Sequence, residues 1–405
     1  MSEIAHPAPD GWLKRFFLSL VILALLAGLL LVPWAVCWLT ASGELDQEEV
    51  VARQAQGEFV LFGPGLAQDI MAYKLALYAA VKPEVVVLGS SRAGNVRAAF
   101  FERPFVNMAG AATDLESLRL LVDRMLAVHR PKVVLLGLDF WWLTAGAPAG
   151  RPERIVQPSL LDASTLRAPW RWLVQGRIAP ADMLAPLQHR LRADRYGLEA
   201  QLRDTGYGPD GSLYEGAVLD GRRPAPDHAF ARTLRELESG SGVWAGSLAP
   251  DRERLEAFAE ICCRLRSRGI RTIVFLPPLA TPVLGALADR NGGDASWLSA
   301  LRQGLLDCGV ESMDFSDPRV YGSGDCEMMD GLHGGDVIGA SLVRDMGDRQ
   351  PWLRDMLHRE YLSHVLRERR GLAAVPDERL TDLPEADFLG LHCAKKRRGE
   401  ATPRF

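Results

Sequence analysis

The chain has 405 residues, is 48% hydrophobic and carries a formal net charge of −4. It can therefore bury one large core, or one core with appendages, and it offers no concentrated basic face for nucleic acid. The six cysteines, at 37, 262, 263, 308, 326 and 393, include no C-x-x-C pair, which argues against a structural zinc site, and no partner ligands with metal spacing lie near His333.

Residues 16–39 form an uncharged, mostly apolar run of 24 residues. As a helix rising about 1.5 Å per residue it reaches roughly 36 Å, enough to cross a hydrocarbon core of about 30 Å with some tilt. Lys14 and Arg15 precede the run, and the first charges after it are Glu44, Asp46, Glu48 and Glu49. Positive flanks stay in the cytoplasm, so the expectation is a single-pass transmembrane helix. It leaves residues 1–15 cytoplasmic and the rest extracytoplasmic, in a periplasm-like compartment. Trp34 and Trp38 fall where an interfacial aromatic belt would lie. A signal-peptide core is shorter, at 7–15 residues. Cys37 reads as a small membrane residue, and the basic stretch 395–398 as a solvated terminus.

Residues 40–80 read as a connecting segment with one or two helices. Five short apolar or β-branched runs follow, at 85–88, 105–107, 133–138, 272–276 and 311–315. Continuous rather than alternating apolarity suits strands covered on both faces. Amphipathic stretches at 115–128, 252–268 and 297–306 lie between them, and a final helix is expected over 337–346. Strands alternating with helices predict an α/β fold, a flavodoxin-like, doubly wound, five-stranded parallel sheet over residues 81–350. The stretch 144–250 breaks that rhythm, being rich in Pro, Gly and Arg, with short helical pieces around 181–203 and 229–238. It reads as an insertion capping the site. Residues 351–405 read as a charged helical appendage and tail outside the core.

The chemistry begins at the first strand of that sheet. Residues 85–92 read Val-Val-Val-Leu-Gly-Ser-Ser-Arg, a buried strand running into a tight turn. Ser91 then sits at the carboxyl edge of the sheet, where open α/β folds place ligands, close to backbone N–H groups able to face an oxyanion. A serine in such a place is also a favoured helix cap. The second half of the pattern is Asp330-Gly331-Leu332-His333. A histidine that takes a serine proton needs a carboxylate to fix its tautomer, and Asp-x-x-His supplies both on one turn.

The Gly-Ser-Ser turn with Asp-x-x-His near the end resembles the SGNH hydrolase superfamily, whose first block is usually Gly-Asp-Ser. Gly-Ser-Ser-Arg, then Asn107 after strand two and Gly137-Leu138-Asp139-Phe140 after strand three, is similar to its cell-envelope branch. That branch includes the D-alanyl transfer protein of teichoic acids and the O-acetylation proteins of alginate and related exopolysaccharides. The resemblance implies Ser91 as nucleophile, His333 as general base and Asp330 as its orienting partner. It implies the backbone N–H groups of Ser91 and Gly110 as oxyanion donors. Asp139 stands where the family has an Asn donor, and an ionised carboxylate cannot donate. Three readings are open, a protonated Asp139, its pairing with Arg92 across neighbouring strands, or a slow or inactive enzyme; the pairing is favoured, with Arg92, Asp139 and Asn107 around the triad. Trp141 and Trp142 are candidates to stack on a sugar or line an acyl groove, core packing being the alternative. Cys308 and Cys326 are a candidate disulfide in an oxidising compartment.

The activity implied is a serine O-acyltransferase or O-acylesterase working, without a cofactor, on a cell-envelope or exported polysaccharide. A membrane-bound O-acyltransferase is the partner that would supply acyl groups. The alternative is a non-catalytic SGNH-like scaffold or glycan-binding subunit of a polysaccharide acylation or export complex.

Overall fold

The computed structural model describes residues 10–144, 157–188, 190–245, 249–290, 296–375, 377–381 and 383–395. In chain order the elements are α1 (Asp10–Ala41), α2 (Gln47–Ala55), β1 (Leu61–Phe62), α3 (Ile70–Val81), β2 (Val85–Leu88), β3 (Phe105–Asn107), α4 (Leu115–Val128) and β4 (Val133–Gly137). The middle of the chain holds α5 (Ala163–Val174), β5 (Arg195–Tyr196), α6 (Leu198–Arg203), β6 (Thr205–Tyr207), β7 (Leu213–Glu215), α7 (Gly216–Leu219) and α8 (Ala231–Ser239). Then come α9 (Arg252–Ser267), β8 (Arg271–Leu276), α10 (Thr281–Arg290), α11 (Ser296–Leu306), β9 (Glu311–Asp314), α12 (Asp336–Arg349), α13 (Pro351–Arg354) and α14 (Arg359–Glu368).

The main sheet has the order β3-β2-β4-β8-β9, every pair parallel. This is the flavodoxin-like arrangement expected from the five apolar runs. Alternate residues serve opposite faces. Val85, Val87, Val133, Leu135, Ile273 and Phe275 pack against α12 and α14; Val86, Leu88, Val134, Leu136 and Val274 pack against α3, α4 and α9. Burial on both sides explains why these strands show no polar alternation. Strand order reverses at β2, so the carboxyl ends of β2 and β4 diverge there and open a crevice between them. Ser91 follows β2, and Asp139 follows β4.

The long insertion contains more than a cap. β5, β6 and β7 join β1 of the connecting segment in a second, four-stranded sheet, order β5-β1-β6-β7. Two- and three-residue strands are too short for periodicity to reveal. Residues 351–395, expected outside the core, are instead part of it. Leu353, Leu362, Val365, Leu366, Ala373 and Leu389 are buried in the same cluster as the sheet. The reason lies in α14, whose charges fall on one side and whose Leu362, Val365 and Leu366 fall on the other. Lys395, read as part of a solvated tail, is buried against Phe388 and bonds Glu385 at 2.6 Å; residues 396–405 lie outside the described residues.

α1 runs unbroken through the apolar stretch and past its end. Among the described residues no helix is long and apolar enough to cross a membrane; in α1 the side chains of 24–27 and 30 lie outside the described ones. The cysteines pair as Cys263–Cys308 and Cys326–Cys393, with Cα separations of 5.1 and 5.8 Å. The expected Cys308–Cys326 pair is thus corrected: α9 brings Cys263 beside α11, and the C-terminal segment brings Cys393 to Cys326.

Candidate active site

The turn that presents Ser91 depends on Gly89, whose φ of +137° suits glycine and whose Cβ, were there one, would stand 2.7 Å from the Gly137 carbonyl oxygen. The chain then enters a short 3-10 turn, Ser91–Ala93, capped by Ser90 Oγ, which accepts from the Arg92 N–H at 3.2 Å. Ser91 is left exposed at the sheet edge. As the first residue of that turn its N–H has no acceptor within the turn.

On the opposite side Asp330 Oδ1 accepts from the N–H groups of Leu332 and His333, both at 2.8 Å, folding Asp-x-x-His back on itself. His333 Nδ1 lies 2.9 Å from each Asp330 oxygen, and Nε2 lies 2.9 Å from Ser91 Oγ. An ionised carboxylate only accepts, so Nδ1 carries the proton and Nε2 faces the serine as an acceptor. Burial pushes the Asp330 carboxyl up, but the His333 charge, its ring bond and the two backbone N–H groups outweigh this and hold it at about 2. Burial also opposes charge on His333; the charge and hydrogen bond of Asp330, with Glu215, outweigh it and Arg92, so the ring titrates above the ordinary 6.5.

Arg92 ties four segments together. Its guanidinium donates to Asp139 Oδ1 at 2.8 Å, to the carbonyls of Pro277 and Pro278 at 2.7 and 2.6 Å, and to that of Leu332 at 3.0 Å. Both members of the Arg92–Asp139 pair are buried. The pairing expected between strand ends is present, though through one oxygen rather than two: Asp139 Oδ2 has no partner among the described residues. Asn107 is fully buried; its amide donates to the Ala93 and Val96 carbonyls at 2.9 and 3.0 Å, which braces the loop behind Ser91.

Two expectations are corrected. The Gly110 N–H donates to the Gly89 carbonyl at 2.9 Å, because the chain after β3 continues pairing with the turn after β2. That bond takes it out of the oxyanion role and leaves the Ser91 N–H. Trp141 and Trp142 retain only 9% and 1% of their surface, too little to stack on a sugar. A 3-10 turn, Phe140–Leu143, rolls them inward, where Trp141 meets Phe140 and Trp244 with centroids at 5.0 and 6.3 Å.

No family model, curated protein or solved structure matches this chain.

Three residues of the insertion reach the site and were not read from the sequence. Asp227, buried at 1% exposure, accepts from the Gly331 N–H at 2.9 Å, the Thr233 hydroxyl at 2.6 Å and the N–H groups of Arg232 and Thr233. It therefore holds the turn between Asp330 and His333 from outside the sheet. A guanidinium nitrogen of Arg232 stands 3.8 Å from Asp330 Oδ2. Glu215, on β7, carries a carboxyl raised by burial and opposed by the His333 charge. Asp227 looks in sequence like one more residue near a helix start; its bond to a turn over a hundred positions away has no local signal. Among the described residues no group of three His, Cys, Asp or Glu side chains is placed to hold a metal. A cleft of about 670 Å³ is lined by Arg97, Tyr214, Asp336 and Tyr361 and does not include Ser91 or His333.

The electrostatics set a pH dependence. His333 accepts a proton only when neutral, so if the relay cleaves esters, turnover would fall as pH drops through its pKa, expected above 6.5. A kcat/KM profile measures that midpoint; one at or below 6.5 would mean that Asp330 and Glu215 do not act on the ring as described.

Proposed function

We propose that this chain is a membrane-anchored, extracytoplasmic serine O-acyltransferase or O-acylesterase of SGNH type, acting on a cell-envelope or exported polysaccharide. The observation that carries it is the unbroken relay from Ser91 Oγ through His333 to Asp330, each step 2.9 Å, at the point where strand order reverses. In this reading Ser91 Oγ attacks an ester carbonyl while His333 Nε2 takes its proton, and the oxyanion is met by the Ser91 N–H. Collapse expels the alcohol, which leaves with the proton held on His333. The acyl-enzyme then passes its acyl group to a polymer hydroxyl or to water. Ser91 is exposed at the edge of the sheet, which suits a polymer better than a small ligand that must be engulfed.

The anchor is supported by the sequence of residues 16–39 and by the continuity of α1 over 32 residues. Its described side chains Phe16, Phe17, Leu18, Val21, Leu23 and Leu29 are exposed, and a helix apolar all round needs an apolar surrounding. Two disulfides favour an oxidising compartment. A membrane-bound O-acyltransferase remains the partner we propose as acyl supplier.

The second reading is a non-catalytic SGNH-like scaffold or glycan-binding subunit. Asp139 in the place of an Asn donor, with the Gly110 N–H already engaged, favours it, since each missing oxyanion donor costs roughly 10²–10³ in rate. Turnover of an aryl acetate by the full chain separates the two. Topology has its own check: a reporter fused after Phe405 is expected to be active only outside the cytoplasm, and cytoplasmic activity would overturn the localisation.

A further inference from the structure

We propose that the α5 side of the insertion rests on the lipid surface from which α1 emerges, so that the domain is docked on the bilayer rather than tethered above it. This rests on the reading of α1 as the anchor. From Phe16, about 20 residues of helix cross the hydrocarbon core, which brings Trp34 to the membrane boundary. α5 is packed against α1 at that level. The rings of Trp34 and Trp170 are 4.5 Å apart and those of Trp38 and Trp172 are 5.6 Å apart. Trp38 Nε1 donates to the Asp182 carbonyl at 3.2 Å, and Trp38, Leu39, Ala168, Trp172, Ile178 and Met183 share one buried cluster.

The joint is stiff. Immediately after α1, the fully buried Glu44 accepts from the N–H groups of Gly65 and Leu198, at 2.9 and 2.6 Å, and the Gly197 N–H donates to the Ser42 carbonyl at 2.7 Å. The insertion therefore follows α1 and cannot swing away from the boundary.

What the insertion shows there is apolar. Leu161 is 95% exposed and Val174 88%, more than any other large apolar side chain described, those of α1 included; Leu187 and Leu184 add 65% and 47%. Single exposed leucines are ordinary, but these four lie on the elements flanking the anchor. Arg167 and Arg171, exposed on α5, complement anionic headgroups. Trp34 and Trp170 bring the amphipathic rings that favour that depth.

The test uses the full chain reconstituted in phosphatidylcholine–phosphatidylglycerol vesicles. Cys37 is the free, exposed thiol and is replaced (Cys37→Ser), while Cys262 is buried. Single cysteines Leu161→Cys, Val174→Cys, Val320→Cys and Leu23→Cys, at exposed positions, carry a fluorophore, and quenching by nitroxide lipids is read. Probes at 161 and 174 are expected to be quenched by headgroup-proximal nitroxides at least about twofold more than the probe at 320. Equal quenching at 161, 174 and 320, with the probe at 23 quenched by deep nitroxides, overturns the docking and leaves the anchor. No quenching at 23 overturns the anchor reading, and the docking with it.

Discussion

Ser91→Ala should remove aryl acetate turnover almost completely, by a factor of about 10⁴ or more, while the thermal midpoint stays near that of the parent. The side chain is exposed and its described side-chain bond is the one to His333, so little packing is lost. His333→Ala should cost a similar factor, and the double variant little more than either, because the residues of a relay fail as a unit. Labelling by a fluorophosphonate should disappear in Ser91→Ala alongside turnover. If Ser91→Ala kept its turnover, the nucleophile would lie elsewhere. If the parent neither turned over the ester nor took the label, the scaffold reading would replace the enzyme.

Arg92→Ala should be the most destabilising change near the site. It would strand the Asp139 carboxylate, fully buried, and free the carbonyls of Pro277, Pro278 and Leu332. Removing one partner of a buried ion pair costs about 3–5 kcal/mol, on the order of 10 °C in Tm for a domain of this size. Asp139→Asn should be far milder. The amide oxygen can still accept from Arg92, and its –NH₂ replaces an oxygen that lacks a partner. Ester turnover in Asp139→Asn should be kept or raised, whereas Arg92→Ala lowers it. The double variant should recover part of the stability lost in Arg92→Ala, since no bare charge remains. Denaturant melts of the three variants measure this. Equal losses in the two single variants would show that the pair does not hold the strand ends as described.

The sheet was legible because its strands are runs of Val, Ile and Leu buried on both faces, and such runs stand out without an alignment. Ser91 and Asp330–His333 were legible because each is a local pattern placed just after a predicted strand or just before a predicted helix. The errors came where one local pattern serves two ends. A glycine after β3 can point its N–H at an oxyanion or at the neighbouring turn, and Gly110 does the latter. Trp141 and Trp142 follow a strand edge, but a single 3-10 turn decides whether such rings face in or out. Cysteine pairing, the two-residue strands β1 and β5 and the reach of Asp227 to Gly331 depend on which distant segments meet, and that is a property of the assembled chain.

The disulfide from Cys326 to Cys393 has a consequence in time. It fastens the loop just ahead of Asp330, and the same late segment donates the Gly371 N–H to Glu327 Oε1 at 3.0 Å and accepts from the Val337 N–H at Ala373 O, 3.2 Å. The histidine turn is thus gripped on both flanks by residues made after it. At roughly 5–20 residues per second, synthesis of the stretch from Ser91 to Cys393 takes on the order of 15–60 s. In a chain exported amino end first, the nucleophile would spend that interval outside with no completed base beside it. On the reading proposed above, such a protein would stay chemically silent while still threaded through its exporter, its histidine turn being clasped only once the late segment has arrived.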